Sequence, residues 1–214
     1  MSNDEVEILF RNNRVWSERT RKRDPEFFEN LSAQQTPKYL WIGCSDARVP
    51  ANEVVGLAPG ELFVHRNIGN VVAHTDFNSL SVIQFAVDVL SVNHVIVCGH
   101  YGCGGVQAAL FDTKLGLSEH WIRHIKDVRD RNEQDLSMIE DEGQRLARLC
   151  ELNVMSQVRN VCSLPVVQDA WLRGHPLTVH GFIYGLQDGI LHDLSVSVSK
   201  PDQLEPGSHE GAEK

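Results

Sequence analysis

Tyr39-Leu40-Trp41-Ile42-Gly43-Cys44-Ser45-Asp46 and Val95-Ile96-Val97-Cys98-Gly99-His100-Tyr101-Gly102-Cys103 decide how this chain folds. Each stretch is a short apolar run that ends in residues able to ligate a metal. Runs of this length and composition read as buried strands of a parallel sheet. Working outward, residues 38–44 form the first strand, Leu62-Phe63-Val64-His65 the second, residues 94–99 the third and Leu177 to Tyr184 the fourth. Asp188-Gly189 is a tight-turn signal, and it joins the fourth strand to an antiparallel fifth running from Ile190 to Val198.

Helical patterns fill the gaps between these strands. Leu80, Ile83, Val87 and Leu90 make one stripe of a helix over Ser79 to Leu90, with Asp76 available as its cap. Others start after Gly104-Gly105, surround Trp121, Ile122 and Ile125, run from about 139 to 161, and cover Val166 to Leu172. Strands alternating with helices predict an α/β fold: one domain over residues 1–214, four mainly parallel strands plus the antiparallel fifth, with helices on both faces. Residues 1–35 form an N-terminal helical arm anchored by Val6, Leu9, Phe10, Trp16, Phe27, Phe28 and Leu31, suited to packing on a neighbouring subunit. Residues 200–214 form a polar tail.

Composition narrows the function. A net charge of −9 over 214 residues argues against nucleic-acid binding, which needs a basic footprint. No apolar stretch reaches the roughly 20 residues that cross a membrane, and the acidic start of the chain lacks a secretory pattern. The expected location is cytoplasmic. Five cysteines, an odd number, do not make a disulfide framework. Cys98, Cys150 and Cys162 read as small core hydrophobes.

Cys44 and Cys103 differ because each has further ligands nearby: Asp46 for the first, His100 for the second. Two thiolates, an imidazole and a carboxylate complete a tetrahedral set, and that mixture favours zinc over magnesium or calcium. On an extended segment Cys44 and Asp46 point the same way. Ligands of open parallel sheets gather beyond the carboxyl ends of strands where the strand order reverses. With strands one and three as neighbours and strand two outside, both clusters meet at that crevice. A purely structural zinc site is the competing reading. Arg48 weakens it, because a bidentate pair with Asp46 gives that carboxylate a second partner. When Asp46 leaves zinc for Arg48, the fourth position opens to water.

Cys44-Ser45-Asp46-Ala47-Arg48-Val49-Pro50 and Cys98-Gly99-His100-Tyr101-Gly102-Cys103-Gly104-Gly105 together resemble the two signatures of the β-class carbonic anhydrases. The likeness extends to Gly60 through Asn67, Cys150 through Val154, His180-Gly181 and Tyr184-Gly185. It implies a zinc lyase, one Zn2+ per subunit, that hydrates carbon dioxide reversibly to bicarbonate and a proton. It also implies a homodimer or homotetramer with active sites near the subunit interface. By position, Cys44, His100 and Cys103 are the permanent ligands and Asp46 with Arg48 the catalytic dyad. Gln35 falls where the family places a substrate-binding glutamine, and Val72 and Gly104 are further substrate-side candidates. The chain also resembles the bacterial subgroup inhibited by bicarbonate, in which Trp41, Arg66 and Tyr184 match the anion's allosteric site. Val49, Pro50 and Ala51 would lie in the loop that moves.

On this reading a zinc-bound hydroxide attacks carbon dioxide, oriented by Asp46. Two thiolates offset the metal's charge, so activity is expected to rise toward alkaline pH. Bicarbonate inhibits only by binding the closed form more tightly. His65, His74 and His94 are candidate proton shuttles. The alternatives are a carbon disulfide or carbonyl sulfide hydrolase on the same scaffold, or a non-catalytic zinc-stabilised module that senses bicarbonate.

Overall fold

The computed structural model describes residues 4–204, so most of the expected polar tail lies outside the described residues. The chain divides into two compact units at Thr36 and Pro37. The first holds α1 (Asp4–Arg23) and α2 (Phe27–Ala33). Trp16 meets Phe28 edge-on, with ring centroids 5.5 Å apart, and the Arg21 guanidinium lies over the same ring at 5.5 Å. Val6, Ile8, Leu9 and Phe10, further up α1, stay exposed.

The second unit carries the sheet: β1 (Tyr39–Cys44), β2 (Leu62–Asn67), β3 (His94–His100) and β4 (Thr178–Tyr184), with β5 (Leu191–Asp193) at the edge. The order is β2-β1-β3-β4-β5; the first four are parallel and β5 is antiparallel to β4. The chain steps outward from β1 to β2 and returns across β1 to β3, so the order reverses between β1 and β3. That junction is where the carboxyl ends leave a crevice.

β1 and β3 are buried on both faces, which is why their sequences run apolar without alternating. Leu40, Ile42, Val95, Val97 and Val179 on one face pack with α4 (Phe77–Gln84), α8 (Glu142–Cys162) and α9 (Pro165–Leu172). Burying each such side chain contributes about 2 kcal/mol. The opposite face, with Trp41, Ile96 and Cys98, receives Ala51 of α3 (Ala51–Val54) and the Val55–Leu57 segment. Beyond the carboxyl ends, α5 (Gly104–Leu110), α6 (Ser118–Arg131) and α7 (Glu133–Ser137) close over Cys44 and Cys103.

Two elements depart from the expected pattern. The helix expected over Ser79 to Leu90 begins at Phe77 and widens after Gln84 into a π-helical segment, where Leu90 N–H reaches back to Phe85 O. The fifth strand stops at Asp193 rather than running to Val198. Ser195 adopts a left-handed φ of 57°, with its N–H held by Asp193 Oδ1, so pairing breaks and resumes only as a bridge from Val198 to Val179. Asp76 does cap α4, accepting from the N–H groups of Asn78 and Ser79. Asp76→Ala is expected to lower stability by about 1 kcal/mol, read from the urea midpoint with an unchanged slope.

Candidate metal centre

β1 delivers Cys44 at its last residue, β3 delivers His100 at its last residue, and the tight turn that follows delivers Cys103 just before α5. Gly102, at φ 67°, makes that turn. The ligand atoms of Cys44, His100 and Cys103 lie within 4.8 Å of one another, and all three residues are buried. The two sulfurs stand 3.8 Å apart. Two sulfurs at ~2.3 Å from a common tetrahedral ion would be separated by about the same distance.

His100 gives the sharpest test of fit. Its Nδ1 is 3.1 Å from the Tyr101 carbonyl, which fixes the proton on that nitrogen. Its Nε2 is then a bare lone pair, buried and without a hydrogen-bond partner among the described residues. A buried imidazole nitrogen left empty is costly unless something outside the chain fills it. The residues present therefore fit a zinc ion. Of the two sulfurs, Cys44 is the more easily ionised: the adjacent Cys103 thiol acts first, then the N–H groups of Gly69 and Asp46, against the opposing effect of burial. Cys103 moves the other way, raised by Cys44 and by burial.

Asp46 stands beside this group without joining it. Its Oδ1 accepts from Arg48 N and Nε, each at 2.9 Å, and its Oδ2 accepts from Arg48 Nη2 at 2.7 Å. Oδ2 is also 3.7 Å from His100 Nε2. The Arg48 side chain holds the Asp46 carboxyl well below the usual carboxylate range. Arg66 lies in register with Gly43, yet its guanidinium is committed to the backbone: Nε donates to Cys44 O at 2.7 Å and Nη2 to Asp46 O at 2.5 Å. Trp41 folds over Gly43, where a Cβ would collide with the indole, and Tyr184 packs at the edge of the same cluster.

The remaining sequence candidates scatter. Gly104 opens α5 directly after Cys103, with free space around its Cα. Gln35 is exposed after α2, in the first unit. Val72 is fully enclosed with Leu40, Ile42 and Ile83, so its side chain belongs to the core and does not line an open wall. The reason is the backbone: Val72 N–H and C=O are both fastened to α8, by Gln157 and Asn160. Of the candidate shuttles, His65 Nε2 accepts from the Asn67 amide, whose orientation is fixed by Val71, and burial pushes the His65 pKa down. His74 bonds Ser163, and His94 bonds His180. Sequence reading missed the amides of Asn153 and Gln157 on α8, one of which holds the turn beside Cys44. Their signal was two polar residues within the apolar stripe Leu149, Val154, Val158 and Val161.

A family model described as carbonic anhydrase matches residues 39–191. A carbonic anhydrase of Emericella nidulans is 52% identical over 189 residues, covering 88% of this chain and 82% of the relative. A tetrameric β-carbonic anhydrase of Sordaria macrospora superposes with a TM-score of 0.87 at 36% identity, covering 92% of this chain and 100% of that one. The Coccomyxa β-carbonic anhydrase, solved in complex with acetazolamide, gives 0.85 at 38% identity, covering 90% of this chain and 87% of that one. Fold and sequence agree over most of the chain, and it belongs to the β-class carbonic anhydrases.

Proposed function

We propose that this carbonic anhydrase works with one zinc ion per subunit, held by Cys44, His100 and Cys103, and with Asp46 and Arg48 as the gate to its fourth position. The observation that carries this reading is the empty, buried His100 Nε2 facing two sulfurs 3.8 Å apart. When bound, zinc supplies Lewis acidity that makes a water nucleophile available near neutral pH. Asp46 Oδ2, 3.7 Å from His100 Nε2, accepts from Arg48 Nη2 and keeps a second lone pair, so it takes a hydrogen bond from the attacking water and aims it at the substrate carbon. Because Arg48 keeps Asp46 ionised far into acid, the carboxylate orients the water without serving as its base. Turning the same carboxylate from Arg48 toward the three ligands closes the site.

Bicarbonate inhibition is a second part of the proposal, supported by Arg66. An anion held by Arg66 beside Trp41 and Tyr184 would draw the guanidinium from the carbonyls of Cys44 and Asp46. That loosens the turn carrying the gate and favours the closed form, provided the anion binds that form better. The test is the rate of carbon dioxide hydration across pH, with and without bicarbonate, on protein of known zinc content. The expected result is a rate that rises toward alkaline pH and a bicarbonate inhibition that Arg66→Gln relieves; inhibition unchanged in that variant removes the allosteric part. Parallel assays on carbon disulfide and carbonyl sulfide separate the hydrolase alternative.

The Sordaria relative is tetrameric. We assign this chain to a homo-oligomer too, since α1 exposes Val6, Leu9 and Phe10, which a neighbouring subunit would cover. Light scattering decides between dimer and tetramer. The five cysteines are all free thiols, which suits a reducing compartment such as the cytoplasm.

A further inference from the structure

We propose that Asn153 and Gln157 are positioning residues for the metal centre, forming a buried amide relay on α8 that aims the Gly69 N–H at the Cys44 sulfur. The inference rests on the reading that Cys44, His100 and Cys103 hold zinc. It gives a role to residues that touch neither ion nor substrate.

The Gly69 N–H donates to Cys44 Sγ at 3.4 Å. The turn that presents it cannot hold its own aim. Gly69 at φ 74° and Asn70 at φ 47° are consecutive left-handed residues in a single 3-10 turn, Ile68–Asn70, so no regular right-handed helix runs through them. The turn is instead clamped from outside. In front, a Cβ on Gly69 would come within 2.6 Å of Ile125 Cδ1 on α6, so the backbone is pressed close to that helix. Behind, Asn153 Nδ2 donates to Gly69 O at 2.9 Å. The carbonyl on one side of the glycine is pulled by α8 while the amide hydrogen on the other points to sulfur.

Asn153 is oriented in turn. Its Oδ1 accepts from Gln157 Nε2 at 3.0 Å, and Gln157 Oε1 accepts from Val72 N at 2.9 Å and from Asn160 Nδ2 at 3.0 Å. Asn160 Nδ2 also donates to Val72 O at 2.9 Å. In both Asn153 and Gln157 the amide oxygen meets a donor and the amide nitrogen an acceptor, so neither can flip without losing bonds. Asn153 and Gln157 are each 1% exposed. Burying two primary amides is expensive next to Val154, Val158 and Val161, and valine or leucine at these positions would fill the space more cheaply. The relay stands where a ligand-bearing turn needs direction.

The same helix face reaches the other ligand as well. One turn before Asn153, Cys150 is buried in the same cluster as Cys103 and Cys44. Residues 150, 153, 157 and 160 thus present one seam to both turns. An N–H donated to a thiolate fixes the sulfur in place and draws off part of its charge, which sets how strongly it binds a metal. Outer partners of this kind are worth about 10–100-fold in metal affinity.

The experiment uses the zinc-loaded enzyme and its cobalt-substituted form in wild type, Asn153→Leu, Gln157→Glu and a distant control, Trp171→Phe. The control removes the bond from Trp171 Nε1 to Leu177 O, far along the chain from either ligand turn. Three quantities are read: zinc loss to excess chelator, the sulfur-to-cobalt charge-transfer band, and Tm. Asn153→Leu is expected to lose zinc about 10–100 times faster and to shift the band. Gln157→Glu, which when ionised keeps its acceptor oxygen but has no hydrogen to give Asn153, moves both in the same direction by less at alkaline pH. Trp171→Phe lowers Tm and moves neither. A folded Asn153→Leu with wild-type zinc loss and an unshifted band overturns the proposal, as does a control that accelerates zinc loss equally at a matched fall in Tm. Should Asn153→Leu not fold, Gln157→Glu decides by the same criteria. A wild-type protein that holds no zinc fails the underlying reading instead, and that outcome is visible before any variant is made.

Discussion

Cys44→Ser and His100→Ala are expected to give folded proteins that carry no zinc and hydrate carbon dioxide no faster than buffer does. Loss of a direct ligand must exceed the effect of losing an outer partner, so the fall in metal affinity should be more than ~100-fold. Serine at position 44 offers a hydroxyl that stays protonated where the thiolate did not, and it cannot replace a sulfur 3.8 Å from its partner. Alanine at position 100 removes the imidazole whose Nε2 has no hydrogen-bond partner among the described residues. Both proteins should fold because the main core, Leu40, Ile42, Val95, Val97 and Val179 with the helices behind them, does not include the ligands. Elemental analysis for zinc beside circular dichroism checks this directly. The contrast is Cys162→Ser, whose parent thiol is pushed up to about 12 by burial and is no thiolate at working pH. It should keep a full complement of zinc, at some cost in stability. One zinc per chain with full activity in His100→Ala would end the assignment.

Much of this arrangement can be read from residues alone, and the reasons are physical. β1 and β3 announce themselves because strands covered on both faces need unbroken apolar runs, and Trp41-Ile42 and Val95-Ile96-Val97 supply them. Cys44, His100 and Cys103 stand out because thiols and an imidazole at two strand ends have few other uses. What stays hidden depends on backbone atoms, which every residue shares. Arg66 reads as a charge for an anion, and nothing in its sequence context shows that its Nε and Nη2 also tie the carbonyls of Cys44 and Asp46. Val72 reads as an apolar wall, yet its peptide is tied to Gln157 and Asn160 and its side chain faces the core. The left-handed Ser195 that ends β5 carries no glycine or asparagine to mark it. Asn153 and Gln157 were visible as polar residues in an apolar stripe, but only the fold reveals which carbonyl they hold.

Arg48→Ala and Asp46→Asn should do what the ligand variants cannot, and abolish hydration while zinc stays bound. The three remaining ligands do not depend on either residue, so metal content is expected to match wild type. In Arg48→Ala the carboxylate loses all three of its bonds from that residue except the one from the backbone N–H, and is free to turn toward the ligands. In Asp46→Asn the side chain keeps its shape, but its amide group meets a guanidinium with no charge to offer. Either way the acceptor that aims the nucleophile is lost, and the rate should fall by about 10²–10⁴, the usual worth of a positioned proton-handling group. The pH profile distinguishes orientation from general-base action. Arg48 lowers the pKa of Asp46, so the carboxylate remains ionised as pH falls through the ordinary range near 4 and protonates only in stronger acid. The rise in rate through the neutral range therefore belongs to another group, and it should persist in position, at reduced height, in whatever activity Asp46→Asn retains. A midpoint that moves with Asp46→Asn would make that carboxylate the titrating base, and a variant with wild-type rates would remove it from the mechanism altogether.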